Sequence, residues 1–232
     1  KKGLQVDNAF LVLMYPAPLA SSSAKVHENF EGNLFSVMRQ VRYSQANPLQ
    51  EIDMVLFLNG MPLITLELKN AWTHQTARYH GQKQYRERDA SQTLLNFGRV
   101  LVHMTADTDE IWMATKLAGS STFFLPFNKG TEGGGAGNPP NPNGHATAYL
   151  WEDAWQPATL LNLLAGYLHL QTSTERVYDA TKEAVIEKQS QALIFPRYHQ
   201  LDVVRKLLAA AVQDGPGASY LVQHSAGSGK SN

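Results

Sequence analysis

Two acidic side chains and one lysine stand in two apolar segments that a turn sequence separates. Asp53 belongs to the segment 52–58, whereas Glu67 and Lys69 belong to the segment 63–69. Nearly continuous apolar runs of this length are typical of buried β-strands. Because side chains alternate between the two faces of a strand, Glu67 and Lys69 project from the same face. An unpaired charge is costly inside such strands, so the context favours a functional cluster.

The turn between the two segments decides whether the two acids face each other. Asn59-Gly60 is a strong signal for a β-hairpin turn. A turn of odd length places Asp53 opposite Glu67, whereas a turn of two or four residues in a regular ladder places Asp53 on the other face. We therefore predict an odd-length turn or a β-bulge.

The chemistry of this cluster follows from the repulsion between its acids. Two carboxylates at ~5 Å across neighbouring strands repel each other unless a positive charge lies between them. A hard divalent cation bound by carboxylate oxygens, and by the carbonyl of Leu68, supplies that charge. Lys69 can then position or activate a water, or stabilise charge on a phosphate. The cluster predicts phosphodiester hydrolysis; the alternative is an ion pair worth less than ~1 kcal/mol.

A second candidate site is a glycine-rich sequence that follows a short apolar segment at 220–222. Successive backbone N–H groups in such a loop can hold the phosphates of ATP, while a lysine reaches the terminal phosphates and a serine binds Mg²⁺. His224 replaces the first glycine of the full pattern. The alternative is a flexible Ser/Gly tail. The candidate residues are Gly227, Gly229, Lys230 and Ser231.

The composition limits the classes of function. The 232 residues are 43% hydrophobic, which suffices for one core and part of a second. The formal net charge is zero, so contact with DNA has to rely on a local basic patch. The absence of cysteine excludes disulfides, thiolate nucleophiles and Cys-type zinc sites. We find no segment near the start long enough to span a membrane and expect a cytoplasmic protein.

One basic cluster follows the acidic segments directly. Its residues could bind DNA phosphates, or they could form a solvated helix face that pairs with Glu87 and Asp89. The cluster consists of Arg78, Lys83, Arg86 and Arg88.

Hydrophobic periodicity and turn residues predict an α/β fold, with a mixed central sheet flanked by helices. Strands are predicted at 34–43, 52–58, 63–69, 99–106, 111–117 and 220–222. Helices are predicted at 24–31, 73–89, 156–170, 174–191 and 201–212. The Gly/Pro/Asn-rich stretch 129–145 is predicted to be a loop.

The spacing Asp53-(13 residues)-Glu67-Leu-Lys69 resembles the PD-(D/E)xK nuclease motif, with Ile52 in place of its proline. The surrounding sequence resembles the N-terminal nuclease domain of type I restriction enzyme R subunits. The resemblance implies a restriction-endonuclease-like core in which Asp53 and Glu67 bind Mg²⁺ and Lys69 is catalytic. It is carried by the stretches 39–44, 66–70, 75–76, 83–86, 125–130, 137–144 and 149–152.

That family also carries a Gln-xxx-Tyr element on the following helix. We favour Gln82 with Tyr85 as its counterpart, although their spacing is shorter than in the family. Gln75 with Tyr79 keeps the spacing and stays open as the alternative.

Two further stretches resemble superfamily 2 helicases and translocases. Residues 226–231 are similar to their first motif, and residues 195–200 resemble the Q motif, in which Gln200 would contact adenine. The resemblance implies an ATP and Mg²⁺ site at the start of a RecA-like motor. We expect a piece of a longer protein. The motor is incomplete in this piece, which is expected neither to hydrolyse ATP nor to translocate, whereas the full-length protein is expected to do both.

Together these resemblances imply an organisation and a function. The expected units are an endonuclease domain at 1–172, a helical connector at 173–194 and the truncated start of a motor domain at 195–232. The implied function is Mg²⁺-dependent cleavage of double-stranded DNA, coupled in the full-length protein to ATP-driven translocation. The implied partners are methyltransferase and specificity subunits. The alternatives are a repair helicase–nuclease that acts from DNA ends and a non-cleaving DNA-binding or assembly module.

Overall fold

The computed structural model describes residues 3–179 and 183–224. It confirms the α/β class, because helices flank a mixed sheet of six strands in the order β3-β4-β5-β6-β7-β8. The strands of the described residues are β1 (Leu4–Val6), β2 (Ala9–Leu11), β3 (Phe35–Arg42), β4 (Glu51–Leu58), β5 (Met61–Leu68), β6 (Val102–Ala106), β7 (Ile111–Ala114), β8 (Leu125–Pro126), β9 (His169–Asp179) and β10 (Ala184–Ile194).

Helices and helical turns connect these strands. The α-helices of the described residues are α1 (Ala24–Glu31), α2 (Gln82–Glu87), α3 (Pro157–Asn162) and α4 (Tyr198–Asp214). A 3-10 turn covers Ala71–Thr73, and π-helical turns cover Ala77–Gly81, Leu150–Ala154 and Leu163–Tyr167.

One parallel pair lies in the centre of the otherwise antiparallel sheet. β5 and β6 run parallel, whereas β3-β4, β4-β5, β6-β7 and β7-β8 pair antiparallel. A parallel pair needs a crossover connection, and residues 69–101, which include α2, provide it. The crossover therefore places α2 over the carboxyl-terminal half of β5, where Glu67 lies.

The two faces of the sheet carry different apolar clusters. On one face, Leu56 and Leu66 belong to the cluster that includes Leu161 of α3 and Leu201 of α4. On the other face, Val55 and Phe57 of β4 pack in the cluster that contains Tyr85 of α2. Because side chains alternate along β5, Glu67 and its neighbour Thr65 project to the α2 face.

The helix predicted at 174–191 is wrong, because this segment belongs to the antiparallel hairpin β9-β10. Its strands pair from His169↔Ile194 to Asp179↔Ala184. The helix-favouring residues of this segment predict a helix, but cross-strand pairing outweighs that local preference. Ser173 and Ser190 are hydrogen-bonded at 2.8 Å, and Arg176 pairs with Glu187 at 3.4 Å. The expected connector at 173–194 is thus not helical, while its role as a domain boundary stays a prediction.

The strand predicted at 220–222 is also wrong. Helix α4 ends at Asp214, and Gly215 follows with a φ of 74°, a left-handed value that suits glycine. Residues 218–224 have no regular structure, and Leu221 is 92% exposed. Within the described ranges no strand pairs with this segment, so its backbone does not become part of a sheet.

The remaining predicted elements are confirmed with shifted ends. The helix expected over 73–89 is divided into the 3-10 turn, the π-helical turn and α2. The helix expected over 156–170 ends in the π-helical turn at Tyr167, because β9 begins at His169. The loop at 129–145 is confirmed, and side chains order it: Asn128 Nδ2 donates to Ala136 O at 2.9 Å.

Candidate active site

A β-bulge brings the two acids to the same position along the β4-β5 hairpin. Asn59 and Gly60 have φ values of 50° and 80° and form a two-residue turn between Leu58 and Met61. The register then shifts between Leu56 and Phe57.

The shift sets the register further along the two strands. Leu56 pairs with Ile64 and Met54 with Leu66. Continuing the ladder by one residue puts Asp53 opposite Glu67. The predicted bulge is therefore confirmed, although the turn itself has even length.

Glu67 is a fully buried carboxylate between two cations. Its side chain has no exposed surface, and Oε1 accepts a very short hydrogen bond from Arg88. Its Oε2 lies 3.8 Å from Lys69 Nζ and has no hydrogen-bond partner. Burial raises the pKa of Glu67 to about 7 and nearby Asp53 adds to the rise, against the opposing charges of Arg88 and Lys69. The carboxylate thus has one oxygen ready for a further ligand.

Asp53 lies beside Glu67 and is held by the neighbouring strand. Its Oδ2 accepts a hydrogen bond from the backbone N–H of Leu68 at 2.7 Å. Asp53 is half-buried, so the pair opens to solvent on its side.

Lys69 is fixed at the point where β5 ends. Its backbone N–H donates to Ala106 O of β6 at 2.8 Å, which continues the parallel ladder. Its side chain is only 10% exposed, and Nζ donates to Oε1 of Gln84 on α2. Gln84, which the sequence analysis did not identify, therefore holds the ammonium group of Lys69 near Glu67.

Arg88, at the end of α2, is the second residue that the sequence interpretation missed. The sequence assigns Arg88 to a basic cluster that either binds DNA phosphates or forms a solvated helix face, but Arg88 is 8% exposed and faces Glu67. Its guanidinium also donates to Tyr43 Oη at 2.8 Å and to Glu51 O at 2.7 Å. The placement in a solvent-facing cluster is wrong for Arg88. Its spacing of four residues from Gln84 was the signal available, because such residues share a helix face.

The other members of that cluster do not form one cationic surface either. Arg86 covers the ring of Phe124 at 5.2 Å and donates to Thr122 O, while Lys83 pairs with Glu87 at 3.7 Å. Arg78 is exposed and lies over the Trp112 ring at 5.2 Å.

Gln82 and Tyr85, the favoured counterparts of the family's Gln-Tyr element, are both buried on α2. The Tyr85 hydroxyl is hydrogen-bonded to Thr65 Oγ1 at 2.8 Å, and Thr65 Oγ1 also contacts His103 Nδ1 at 2.8 Å. Gln82 Oε1 accepts from Arg86 at 3.1 Å. Tyr85 therefore anchors α2 to the sheet, whereas the hydrogen bond of Gln82 lies within the helix.

The alternative pair, Gln75 and Tyr79, is solvent-exposed and precedes α2. Tyr79 is 70% exposed.

The donor set suits one hard cation of modest affinity. Within residues 3–179 and 183–224 no group of three or more His, Cys, Asp or Glu side chains converges. The available carboxylate ligands are those of Asp53 and Glu67, and the Leu68 carbonyl stays a predicted third ligand. The unpartnered buried Oε2 of Glu67 fits a bound Mg²⁺, which takes few carboxylates and keeps several waters.

The structure tests only part of the expected ATP site. Gly227, Gly229, Lys230 and Ser231 lie outside the described residues. The side chain of Gln200 accepts from the backbone N–H of Arg197 at 2.8 Å and so caps α4. Tyr198 is nearly buried and contacts the ring of Tyr149 at 4.7 Å. Gln200 lines a cavity of about 1150 Å³ between α4 and the β7 side of the sheet.

Comparison with known families gives one match. Residues 24–122 match the family model of the type I restriction enzyme R protein N terminus. The matched range includes Asp53, Glu67, Lys69, Gln84 and Arg88, and it supports an R-subunit N-terminal region in this part of the chain. A search of curated proteins finds no match. Among the described residues, no helix combines the length and the apolar character that crossing a membrane requires.

Proposed function

We propose that this chain is the Mg²⁺-dependent endonuclease part of a type I restriction enzyme R subunit and cleaves double-stranded DNA. The observation that carries the proposal is the meeting of Asp53, Glu67 and Lys69 at the end of β5, with a buried carboxylate oxygen that has no partner. The family match over residues 24–122 supports the same assignment.

In this proposal Asp53 and Glu67 hold the Mg²⁺ ion. When bound, the ion supplies positive charge at the phosphate and acidifies a water ligand. Asp53 is preorganised for this role because the Leu68 N–H holds its Oδ2. Glu67 is preorganised because Arg88 donates a hydrogen bond to its Oε1, so that Oε2 faces Lys69 and stays available to the ion.

Lys69 acts on the phosphate itself. A buried ammonium group aimed at a developing negative charge stabilises it more strongly than a solvated one. Gln84 accepts a hydrogen bond from Nζ and so orients the group, while two further Nζ protons remain for the phosphate or the attacking water. Lys69 is thus the catalytic residue and Gln84 a positioning residue.

The assembly proposed around this site follows from the same family. The full-length protein would couple cleavage to ATP-driven translocation, through a second site that includes Lys230 and Ser231. Its partners would be the methyltransferase and specificity subunits, and it would work in the cytoplasm on double-stranded DNA.

Cleavage of a supercoiled plasmid by the full-length protein with its partner subunits, Mg²⁺ and ATP tests the proposal. Asp53→Asn, Glu67→Gln and Lys69→Ala should each abolish cleavage, whereas the exposed-residue control Glu87→Gln should cleave like the wild type. Unchanged cleavage by Asp53→Asn would refute the assignment. Cleavage of linear DNA only would instead favour an end-dependent helicase–nuclease, because a closed circle offers no ends.

A further inference from the structure

Two exposed aromatic side chains stand on the segment that leaves the candidate site. Trp72 is 91% exposed and Tyr79 is 70% exposed. Trp72 lies three residues beyond Lys69, and Leu68 beside it is 47% exposed. Large aromatic groups usually bury much of their surface, so this exposure next to a catalytic lysine calls for a ligand.

The backbone that carries Trp72 is held firmly. Asn70 Oδ1 accepts from the Trp72 N–H at 2.9 Å, and Asn70 O accepts from the Thr73 N–H at 3.1 Å and the Gln75 N–H at 3.3 Å. The 3-10 turn then ends at His74, which has a φ of 53°. The turn therefore presents the indole on a fixed platform.

Tyr79 is held by a second set of contacts. Its N–H donates to Thr76 Oγ1 at 3.3 Å, and His80 Nδ1 accepts from the Thr76 N–H at 3.0 Å. The Ala77 N–H donates to Asp107 Oδ2 at 2.8 Å, which ties this part to the turn between β6 and β7. Both aromatic groups thus sit on an ordered segment at the carboxyl-terminal edge of β5 and β6.

The charge of this segment suits a polyanion. No Asp or Glu occurs between Glu67 and Glu87, although the whole chain has a net charge of zero. Arg78 is exposed within the segment, and so are the polar rings of His74 and His80. Aromatic groups beside a cation, and without acids, favour a nucleic-acid strand over a protein partner.

We propose that Trp72 stacks on an unstacked nucleobase of the DNA strand whose phosphate lies at Lys69, with Tyr79 contacting the adjacent nucleotide. The inference rests on the proposed nuclease function and extends it to how the strand is held. Stacking of this kind is tolerant of base identity, because every base has a π-face. Stacking by Trp72 would hold the DNA strand next to Asp53 and Glu67 without recognising a particular base sequence.

The test is the binding of fluorescein-labelled DNA to the full chain, with Ca²⁺ in place of Mg²⁺ to prevent cleavage. The probes are a single strand and a duplex with a central two-nucleotide bulge. Trp72→Ala should weaken binding about tenfold or more, whereas Trp72→Phe should stay within a few-fold of the wild type. Val212→Ala, which removes an exposed apolar group on α4, should have no effect.

A second readout separates stacking from a structural role. Tryptophan fluorescence of the wild type should fall when DNA binds, and Trp72→Phe should bind DNA while losing most of this quenching. All variants should melt at the wild-type temperature, because Trp72 is almost fully exposed.

The two proposals fail in different ways. If Trp72→Ala binds both probes as tightly as the wild type, or if Trp72→Phe binds as weakly as Trp72→Ala, the stacking inference is overturned while cleavage stands. If the wild type binds neither probe and the full-length protein does not cleave DNA, both proposals fail.

Discussion

At Glu67, folding and the proposed cation site make opposite demands. A carboxylate without exposed surface costs free energy when it is ionised, and its Oε2 has no hydrogen-bond partner. Arg88 offsets part of this cost through Oε1, and Lys69 approaches the other oxygen. Before any metal ion binds, the charges of Arg88 and Lys69 therefore offset those of the two acids.

Replacing Arg88 should show how strongly the buried pair is coupled. Arg88→Met leaves Glu67 buried without its main partner and should lower the free energy of unfolding by about 3–5 kcal/mol. The double variant Arg88→Met/Glu67→Gln should lose clearly less than the sum of the two single changes. Urea unfolding of the four proteins measures this coupling, and additive losses would contradict it.

Gln84 should matter for rate more than for stability. Gln84→Ala removes the acceptor for Lys69 Nζ from a half-buried position, so DNA cleavage should slow about tenfold while the melting temperature changes little. Lys69→Ala should reduce cleavage about 10²-fold or more. Equal rates for Gln84→Ala and the wild type would show that Gln84 has no positioning role.

The sequence could predict the three central residues of this site but not their supports. Strand alternation alone places Glu67 and Lys69 on one face, and the requirement that Asp53 join them predicts the β-bulge, because the two-residue Asn59-Gly60 turn in a regular ladder would turn Asp53 to the other face. Gln84 and Arg88 reach the site only because α2 docks on the sheet, which is a tertiary event. The catalytic roles of all five residues stay predictions.

At the scale of elements, the crossover between β5 and β6 determines the position of α2. The π-helical turn Ala77–Gly81 lies against β6, and Thr105 Oγ1 donates to Ala77 O at 3.3 Å. A Cβ on Gly81 would overlap the Thr105 side chain. Glycine at this position therefore allows the close approach that brings α2 over Glu67.

A side chain at Gly81 should push α2 away from the sheet. Gly81→Ala should lower the free energy of unfolding by about 1–3 kcal/mol through overpacking and should slow cleavage as well. Gly133→Ala is the matched control, because a Cβ there meets no atom within 4 Å. Thermal melts and plasmid cleavage test this prediction. Adding Thr105→Ala to Gly81→Ala should restore part of the lost stability and part of the lost cleavage rate. Wild-type stability of Gly81→Ala would disprove the close approach.

The elements differ in how far the sequence determines them. β4 and β5 follow from apolar runs around Asn59-Gly60, which need no distant information. The segment 174–191 contains good helix formers, but it contributes to both strands of the hairpin β9-β10, whose pairs run from Asp179↔Ala184 to His169↔Ile194. Helix propensity is summed residue by residue and carries no information about such cross-strand pairs, so it predicts a helix there.

For the whole molecule, the α2 face of the sheet combines a polar network with an apolar cluster. His103 of β6 is 1% exposed and its Nδ1 is hydrogen-bonded to Thr65, which also binds Tyr85. Burial lowers the pKa of His103 to about 3. The folded protein therefore keeps this imidazole neutral under conditions in which the unfolded chain protonates it.

This difference predicts a loss of stability in acid. Because the folded-state pKa is depressed, the contribution of His103 is complete above the unfolded pKa of 6.5 and falls as the pH decreases toward 3. The contribution of His103 to the free energy of unfolding should fall by about 2 kcal/mol between pH 7.5 and pH 5, while Glu67, whose pKa is raised to about 7, contributes in the opposite direction over the same range. The test is therefore the difference between two proteins in urea unfolding: between pH 7.5 and pH 5 the wild type should lose about 2 kcal/mol relative to His103→Asn, which does not titrate and keeps Glu67. Parallel profiles for the two proteins would contradict the burial of a neutral His103.

The most direct test of the central claim is a titration of the chain with Mn²⁺, followed by electron paramagnetic resonance of the free ion. Mn²⁺ is a hard cation with ligand preferences close to those of Mg²⁺. The wild type and Lys69→Ala should each bind one ion, whereas Asp53→Asn and Glu67→Gln should bind none at the same concentrations. Equal binding by the wild type and Asp53→Asn, or no binding by the wild type, would contradict a cation site between these two acids.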